Sequence, residues 1–233
     1  MQHMLKDPML CIPTSSQLHD ELSPMVGTIK HYADRAQERG GWNALEVDRY
    51  DMKSLSLLLT EHAPSVYTMP LFSPEFCAGL LAEAQGMRYQ QNAEEEPAFR
   101  IPELVLQRHC TTLHAALSVH FDNVLLPLST LLFGIEASEL VSIQLAKYEP
   151  TEVGYGNWHV DLDSDFTVVV ALSNEHTGGG TEIASHGFGP AIEVPQLPAG
   201  HALIFPGKLY LHRGMPVTSG TRNLLVFWSE VTS

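Results

Sequence analysis

The stretch NWHVDLDSDFTVVVALS, residues 157–173, joins a polar segment with three aspartates to an apolar, β-branched run. The run from Phe166 to Val170 is typical of a buried strand. Successive side chains of a strand point to opposite faces, so His159 and Asp161, two positions apart, point the same way. This segment therefore predicts either two ligands of one metal ion, an acidic calcium loop, or the solvent-exposed end of a strand.

The calcium loop is excluded by the residues that follow. Such a loop needs glycine at its sixth position and glutamate at its twelfth. Counted from Asp161, those positions hold Phe166 and Leu172. We therefore interpret Asp163 and Asp165 as solvated turn residues.

Short apolar runs continue through the second half of the chain and indicate strands. Clusters of Gly, Pro, Asn and Asp separate them, which favours a sandwich or jelly roll. The predicted strands are LVSIQLAKY (140–148), FTVVVALS (166–173), AIEVP (191–195), HALIFPG (201–207) and RNLLVFW (222–228).

The first half has mainly helical periodicity. Apolar positions at helical spacing predict helices over residues 22–40 and 43–62, separated by a turn at RGGW, residues 39–42. A further helix pair is predicted from Glu103 to about Leu132. The fold class expected is thus mainly β with N-terminal helices that brace one sheet.

Between these helical regions lies a strand followed by a helix. PSVYTMPLF, residues 64–72, alternates as a strand does, and Ser73 with Pro74 is typical of a helix start. Gly86 is predicted to end that helix. We divide the chain into a helical N-terminal section, residues 1–65, packed on a core domain, residues 66–233.

Composition restricts the function classes. The 233 residues are 44% apolar and 17% charged, as in a soluble globular protein, and the net charge is −14 from 13 basic and 27 acidic residues. The absence of a basic run disfavours nucleic acid as a partner, whereas a cationic or neutral substrate fits. Because no apolar stretch reaches the roughly 18–20 residues of a membrane span, we expect no membrane contact and a cytoplasmic, intracellular protein.

The three cysteines predict no disulfide framework. Cys11, Cys77 and Cys110 are far apart and odd in number, which also argues against a thiolate zinc site. We expect them to be reduced, with at least two of them in the core.

A third metal ligand must come from a later segment. The downstream candidates are His176, His186, His201 and His212. His212 stands out because it follows the strand-like ALIFPGKLYL and precedes Arg222 by ten positions. Two histidines and one carboxylate on one face of an octahedral ion leave three positions open, the arrangement that oxygen-activating Fe(II) requires. The other three histidines are assigned structural roles, His186 being the most plausible exception because its loop could edge the pocket.

Arg222 completes this set. It lies on a predicted interior strand, where a guanidinium needs a carboxylate because it cannot lose its charge. A dicarboxylate cosubstrate would supply that carboxylate, so the HxD pair, the distal histidine and the arginine form a mutually dependent group.

These residues resemble the Fe(II)- and 2-oxoglutarate-dependent dioxygenases, in particular the branch of the prolyl 4-hydroxylases and procollagen lysyl hydroxylases. The resemblance covers residues 141–228 and includes YEP, HVD, GGGTEI and FPGKLYLHRGMPVTSGTR. A weaker similarity covers YTMPLFSPEFCAGLLAEA, residues 67–84. The WHVD segment departs from the HHD of the lysyl hydroxylases at Trp158 and Val160, which leaves the metal set intact and the substrate open.

The resemblance implies a double-stranded β-helix, a jelly-roll variant, with iron at its open end. It assigns His159, Asp161 and His212 as catalytic metal ligands, and Arg222 and Tyr148 as cosubstrate-binding residues. It also implies Fe(II), 2-oxoglutarate and dioxygen, with ascorbate as a candidate supporting reductant. The expected activity is hydroxylation of a C–H bond of a peptidyl lysine or proline, with succinate and CO₂ as coproducts.

Two alternatives stay open on the sequence. One is a related oxygenase that acts on a small metabolite or a nucleobase, since a jelly roll does not determine its substrate. The other is a non-catalytic jelly-roll binding module. The GGG at residues 178–180 lacks a following lysine and predicts a turn between strands rather than a phosphate-binding loop.

Overall fold

In the computed structural model, helices occupy most of the first half of the described chain and strands most of the second. The structure describes residues 17–38, 49–91, 93, 96–135, 138–185 and 189–232. The helices are α1 (Val26–Glu38), α2 (Arg49–Leu58), α3 (Pro74–Ala84), α4 (Leu106–His109), α5 (Thr111–His120) and α6 (Leu126–Phe133), with a 3-10 turn at Ser23–Met25 and a π-helical turn at Phe121–Leu125.

The strands pair mainly in one large sheet. They are β1 (Thr60–Ala63), β2 (Val66–Pro70), β3 (Gln90–Gln91), β4 (Pro102–Val105), β5 (Ser138–Tyr148), β6 (Phe166–Ala171), β7 (Thr177–Gly178), β8 (Thr181–Ile183), β9 (Ile192–Val194), β10 (His201–Phe205), β11 (His212–Gly214), β12 (Val217–Ser219) and β13 (Arg222–Val231). The large sheet has the order β1-β2-β10-β6-β13-β5-β4-β3, and the smaller ones have the orders β11-β8-β9 and β12-β7. The expectation of a mainly β chain with N-terminal helices is confirmed.

The second predicted helix was wrong at its end. The helical periodicity of residues 43–62 continues into Thr60–Ala63, but those residues form β1, which pairs antiparallel with β2. Thr60–Ala63 form a strand despite their helical periodicity because pairing with β2 satisfies backbone N–H and C=O groups. At the end of a longer α2, some of these groups would have no partner. The predicted turn at 39–42 lies outside the described residues. The predicted division after residue 65 falls in the turn between β1 and β2 and stays a proposal.

The helix predicted from Glu103 also begins too early. Residues Pro102–Val105 form β4, which pairs with β5, and the helical region starts at Leu106. By contrast, the start of α3 is as predicted: the Ser73 hydroxyl accepts a hydrogen bond from the Phe76 N–H at 3.2 Å, with Pro74 at the first helical position. That helix ends at Ala84, two residues before Gly86, whose φ is +85°.

The helical span Thr111–Phe133 is long and apolar enough to cross a membrane by length and composition, the one such span among the described residues. Half of its apolar window is nevertheless buried inside the protein. Leu113, Leu117 and Leu125 are fully buried in the main core. These residues of the span therefore pack as part of the protein core.

One face of the large sheet packs against the helices and the other lines a pocket, because successive side chains of a strand point to opposite faces. On β6, Phe166, Val168 and Val170 pack in the core beneath the helices. Their neighbours Val169 and Ala171 face the opposite side and line a pocket. The same alternation on β13 buries Leu225 and Phe227 with the helices and leaves Arg222 and Leu224 at the pocket. Phe227 is therefore a core residue, while Trp228 is partly exposed.

The small sheet covers the pocket face of the large one. Ile183 of β8 and Val194 of β9 pack against Val66, Leu203 and Phe205 of the large sheet in a second core cluster. Cys77 and Cys110 are buried and free, as predicted, whereas Cys11 lies outside the described residues. The region between the two sheets holds the candidate site.

Candidate metal centre and anion pocket

His159 and His212 come together through their backbones. The N–H of His159 donates to the carbonyl of His212 at 3.0 Å, and the N–H of His212 donates to the carbonyl of His159 at 2.8 Å. Such a reciprocal pair holds two residues directly opposite each other on adjacent strands. The ring centroids are consequently only 4.3 Å apart.

Both imidazoles have the same orientation. The Nδ1 of His159 lies 3.0 Å from the carbonyl oxygen of Asn157, and the Nδ1 of His212 lies 2.9 Å from that of Tyr210. Because a carbonyl only accepts, Nδ1 carries the proton in each ring and Nε2 keeps its lone pair. Each histidine therefore presents a metal-ligating nitrogen whose direction is set by its own main chain.

Asp161 supplies an oxygen to the same point. Its Oδ1 lies 3.6 Å from Nε2 of His159 and 3.8 Å from Nε2 of His212. Its Oδ2 accepts a hydrogen bond of 2.7 Å from the Thr167 hydroxyl, which leaves Oδ1 free to face the histidines. One ligand atom from each of the three residues lies within 4.8 Å of the others. Two nitrogens and one oxygen thus converge on a space suited to one metal ion.

The centre is closed on one side and open on the other. Asp161 and His212 are buried, whereas 42% of the His159 side chain is exposed. Burial and the neighbouring His159 lower the pKa of His212, and Asp161 opposes them by raising it. A lowered pKa keeps this imidazole neutral, the form that binds a metal.

Gly207 allows the close packing beneath Asp161. A Cβ on Gly207 would lie 2.3 Å from the Thr167 hydroxyl oxygen and 2.9 Å from the Asp161 Cβ. The Asp161 N–H also donates to the Gly207 carbonyl at 3.1 Å. A side chain at position 207 would therefore displace the carboxylate.

Arg222 is buried nearby with part of its guanidinium unpaired. It is 7% exposed, its Nη2 donates weakly to the Thr181 hydroxyl at 3.4 Å, and its Nη1 has no hydrogen-bond partner. Its guanidinium carbon lies 5.3 Å from the ring centre of Tyr148, its direct neighbour on β5. Burial lowers the pKa of Arg222 because the charged guanidinium is removed from water and, within the described part of the chain, has no carboxylate beside it. Among the residues that the structure describes, no carboxylate forms an ion pair with it.

The strand register links Arg222 to the three converging residues. His212 of β11 pairs with Ile183 of β8, and Thr181, which contacts Arg222, lies two residues away on that strand. Two residues span about 7 Å along a strand. Thr181 and the Arg222 guanidinium that contacts it therefore lie about 7 Å along β8 from the level of His212, on the same face of the small sheet.

A pocket that is partly open to solvent lies beside Arg222. Its walls are mainly apolar, and its polar groups include Arg222, Thr181 and His176. Thr167 and Thr181 were not singled out from the sequence, and His176 was considered as a metal ligand but assigned a structural role, because only their positions in space connect them to this region.

The other sequence candidates lie elsewhere. His201 packs edge-on against His19 at 5.5 Å between ring centres, and His186 lies outside the described residues. Asp165 is less solvated than expected, since it pairs with Lys208 at 3.1 Å and accepts from the Val231 N–H at 2.9 Å. The glycines at 178–180 all have positive φ; Gly178 ends β7, and Gly179 and Gly180 form the predicted turn to β8.

Curated proteins with similar sequences are hydroxylases. The chain is 24% identical over 185 residues to the multifunctional procollagen lysine hydroxylase and glycosyltransferase of Caenorhabditis elegans, a match covering 72% of the chain and 24% of that protein. It is 42% identical over 74 residues to a PKHD-type hydroxylase of Verminephrobacter eiseniae, covering 31% of each. The chain thus spans about a quarter and a third of these two relatives. No protein-family profile matches the chain.

Solved structures with a similar fold include members of the 2OG-Fe(II) oxygenase family. One is an oxidoreductase of the 2OG-Fe(II) oxygenase family from Burkholderia pseudomallei, with a TM-score of 0.58, 15% identity and coverage of 72% of this chain and 86% of that one. The chain has the 2OG-Fe(II) oxygenase fold. A prolyl-4-hydroxylase from Pseudomonas putida is similar as well, with a TM-score of 0.56, 17% identity and coverage of 73% and 95%.

These comparisons confirm the resemblance found in the sequence and the jelly-roll core that it implied. The relatives are hydroxylases and the structural neighbours are 2OG-Fe(II) oxygenases. The converging His159, Asp161 and His212 form a His-Asp-His cluster of the kind that the 2OG-Fe(II) oxygenase resemblance implied. The individual roles of these residues, and of Arg222 and Tyr148, stay predictions.

Proposed function

We propose that this chain is an Fe(II)- and 2-oxoglutarate-dependent oxygenase that hydroxylates a C–H bond of a peptidyl lysine or proline, with succinate and CO₂ as coproducts. The observation that carries the proposal is the combination of three converging ligand atoms with a buried, partly unpaired arginine two strand positions away along β8. Either feature alone has structural explanations. Together they fit a metal ion and a dicarboxylate that extends from it.

The residues present fit the metal. Two imidazoles and one carboxylate suit a divalent transition metal, and one ligand atom of each lies within 4.8 Å of the others. The exposed side of His159 leaves room for further ligands. Bound there, Fe(II) with 2-oxoglutarate and dioxygen would supply the oxidant for C–H hydroxylation; His159, Asp161 and His212 would hold the ion, and ascorbate would keep it reduced.

The residues around Arg222 fit a carboxylate. An orphaned buried N–H is costly, and a planar guanidinium binds carboxylates through two parallel hydrogen bonds. Tyr148 packs on Arg222 and would support its orientation. The chain's own contribution is thus to hold the cosubstrate between the metal and Arg222, and to exclude water from the buried end.

The substrate class is proposed from the relatives and from charge. One relative is named as a procollagen lysine hydroxylase, and a structural neighbour as a prolyl-4-hydroxylase. A chain with a net charge of −14 also suits a basic or neutral peptide better than a nucleic acid. We further propose a cytoplasmic location. We also propose that the oxygenase core begins at residue 66, after the helical N-terminal section of residues 1–65.

The direct test measures succinate released from 2-oxoglutarate with Fe(II) under air. Wild type should form succinate, and His212→Ala should form none, because it loses a ligand while its backbone pairing with His159 can remain. An Asp163→Asn variant, altered at an exposed residue beside the site, is the matched control and should keep full activity. A non-catalytic binding module would give equal background in all three proteins.

The substrate class needs a second assay. Lysine- or proline-containing peptides, incubated with enzyme, Fe(II) and 2-oxoglutarate, should gain the mass of one oxygen atom. Free amino acids and nucleosides should stay unmodified. Modification of the small molecules with unchanged peptides would replace this substrate assignment with a metabolite or nucleobase oxygenase.

A further inference from the structure

His176 is a buried histidine for which neither ring nitrogen has a hydrogen-bond partner. It lies between β6 and β7, is 8% exposed, and its Nδ1 and Nε2 are both buried and unpaired. An imidazole always carries at least one N–H, so this site leaves a donor unsatisfied away from water. Buried polar groups in folded proteins are almost always paired, and an exception calls for a ligand or an ordered water.

His176 and Arg222 are neighbours across Gly179. A Cβ placed on Gly179 would lie 3.2 Å from Nε2 of His176 and 3.2 Å from Cδ of Arg222. Both residues line the same pocket, together with Thr181. The missing side chain at Gly179 therefore lets the imidazole of His176 approach the Arg222 side chain at the wall of this pocket.

The electrostatic environment of His176 favours a neutral imidazole, which can donate one hydrogen bond. Burial and the charge of Arg222 both lower the pKa of His176. A neutral ring adds a hydrogen-bond donor beside the guanidinium without a second buried positive charge. A carboxylate has about four lone-pair sites, enough to accept from both residues at once.

We propose that His176 is a second cosubstrate-binding residue, which donates an N–H to the distal carboxylate that Arg222 binds. This inference rests on the proposed function, because it assigns the carboxylate to 2-oxoglutarate. It goes beyond the roles expected from the sequence, where His176 was assigned to structure. Its consequence is selectivity: the pocket favours 2-oxo acids with a second carboxylate over those that end in a methyl group.

The test measures binding rather than turnover. Dissociation constants are determined by calorimetry for the Mn(II)-loaded protein with 2-oxoglutarate and with 2-oxobutyrate, which lacks the distal carboxylate. His176→Phe removes the donor at similar size, and His176→Gln keeps an N–H. His201→Phe, at a histidine that does not line the pocket, is the matched control.

His176→Phe should weaken 2-oxoglutarate binding about tenfold, equivalent to about 1.4 kcal/mol. His176→Gln should stay within about threefold of wild type, because a donor is retained. Both variants should bind 2-oxobutyrate as wild type does, and His201→Phe should change neither ligand.

Two results would overturn the inference alone. Equal 2-oxoglutarate affinity in wild type and His176→Phe would leave the imidazole without a binding role. Equal losses for both ligands would indicate a structural role instead. If wild type binds no 2-oxoglutarate at all, the proposed function is wrong too. Failure of the His176 inference alone leaves wild-type binding intact, so the two outcomes are distinguishable. Should His176→Phe fail to fold, the same comparison is made with His176→Leu, which also lacks a donor and should show the same selective loss of 2-oxoglutarate binding.

Discussion

Arg222 on β13 lies directly opposite Tyr148 on β5, with its guanidinium carbon 5.3 Å from the centre of the tyrosine ring. This stacking orients the arginine but does not satisfy its hydrogen-bonding capacity, since Nη1 has no partner. A buried charge kept in this state lowers stability. Its retention is explained if the missing partner belongs to a ligand.

We expect Arg222→Met to make the protein more stable while it weakens the binding of 2-oxoglutarate. Removal of the unpaired buried charge should raise the free energy of unfolding by about 1–2 kcal/mol. The same change should weaken 2-oxoglutarate binding at least about thirtyfold, because the main charged partner is lost. Denaturant unfolding and calorimetry measure the two effects.

Arg213→Met is the matched control for that experiment. Arg213 is already paired, with its Nε 2.7 Å from Oε2 of Glu182 and its guanidinium over Trp158. Because the pair is partly exposed, its loss should lower the free energy of unfolding by at most about 1 kcal/mol. A fall in stability for Arg222→Met of equal size would show that Arg222 is paired in solution.

Thr167→Val should weaken metal binding without removing a ligand. The Thr167 hydroxyl donates to Oδ2 of Asp161, which helps keep Oδ1 directed at the histidines. Loss of such a supporting bond costs about 10- to 100-fold in metal affinity. Metal titration measures it, with Thr151→Val in an exposed turn as control. Unchanged affinity in Thr167→Val would mean that the carboxylate is held by its backbone alone.

Gly207→Ala should disrupt the same centre by steric overlap. The new methyl group would overlap Thr167 and Asp161, so we expect a loss of about 1–3 kcal/mol in unfolding free energy and weaker metal binding. Gly27→Ala, on α1 with nothing within 4 Å of the added carbon, should instead stabilise by about 0.5–1 kcal/mol. Thermal and denaturant unfolding compare the two variants, and a neutral Gly207→Ala would contradict the packing described.

His120 should make the fold sensitive to acid. This residue is fully buried with its Nε2 2.6 Å from Oε1 of Gln17, and burial lowers its pKa from 6.5 to about 4. Between these values the unfolded chain binds the proton that the folded chain excludes, so stability falls as pH drops from 6.5 towards 4. The shift predicts a contribution of about 2–3 kcal/mol between pH 7 and pH 4.5.

The measurement is the unfolding free energy of wild type and His120→Phe at both pH values. The variant should show a smaller difference between them by that amount, because phenylalanine has no proton to exclude. The same substitution at the exposed His109 should leave the difference unchanged. An identical pH dependence in wild type and His120→Phe would show that His120 is protonated in the folded protein.

The convergence of His159 and Asp161 was predicted from a strand that the structure does not have, since His159 forms an isolated bridge with His212 and Asp161 lies outside any strand. The helix start at Ser73 was predictable because a cap depends only on its neighbours in sequence. The same local reasoning failed at Thr60–Ala63 and Pro102–Val105, which form strands in regions predicted to be helical. Their state depends on β2 and β5, partners that periodicity within a short window does not reveal.

The sequence by itself determined the mainly β class, the pairing of His159 with Asp161 and the choice of His212 and Arg222 as candidates. Only the tertiary structure decided that the two histidines face each other across one backbone pair, and that His176 lies unpaired beside Arg222. The physical reason is the distance along the chain over which each interaction acts. Alternation and capping act over a few residues, whereas the neighbours of a buried nitrogen come from strands far apart in the chain, and their positions follow from how the sheets pack.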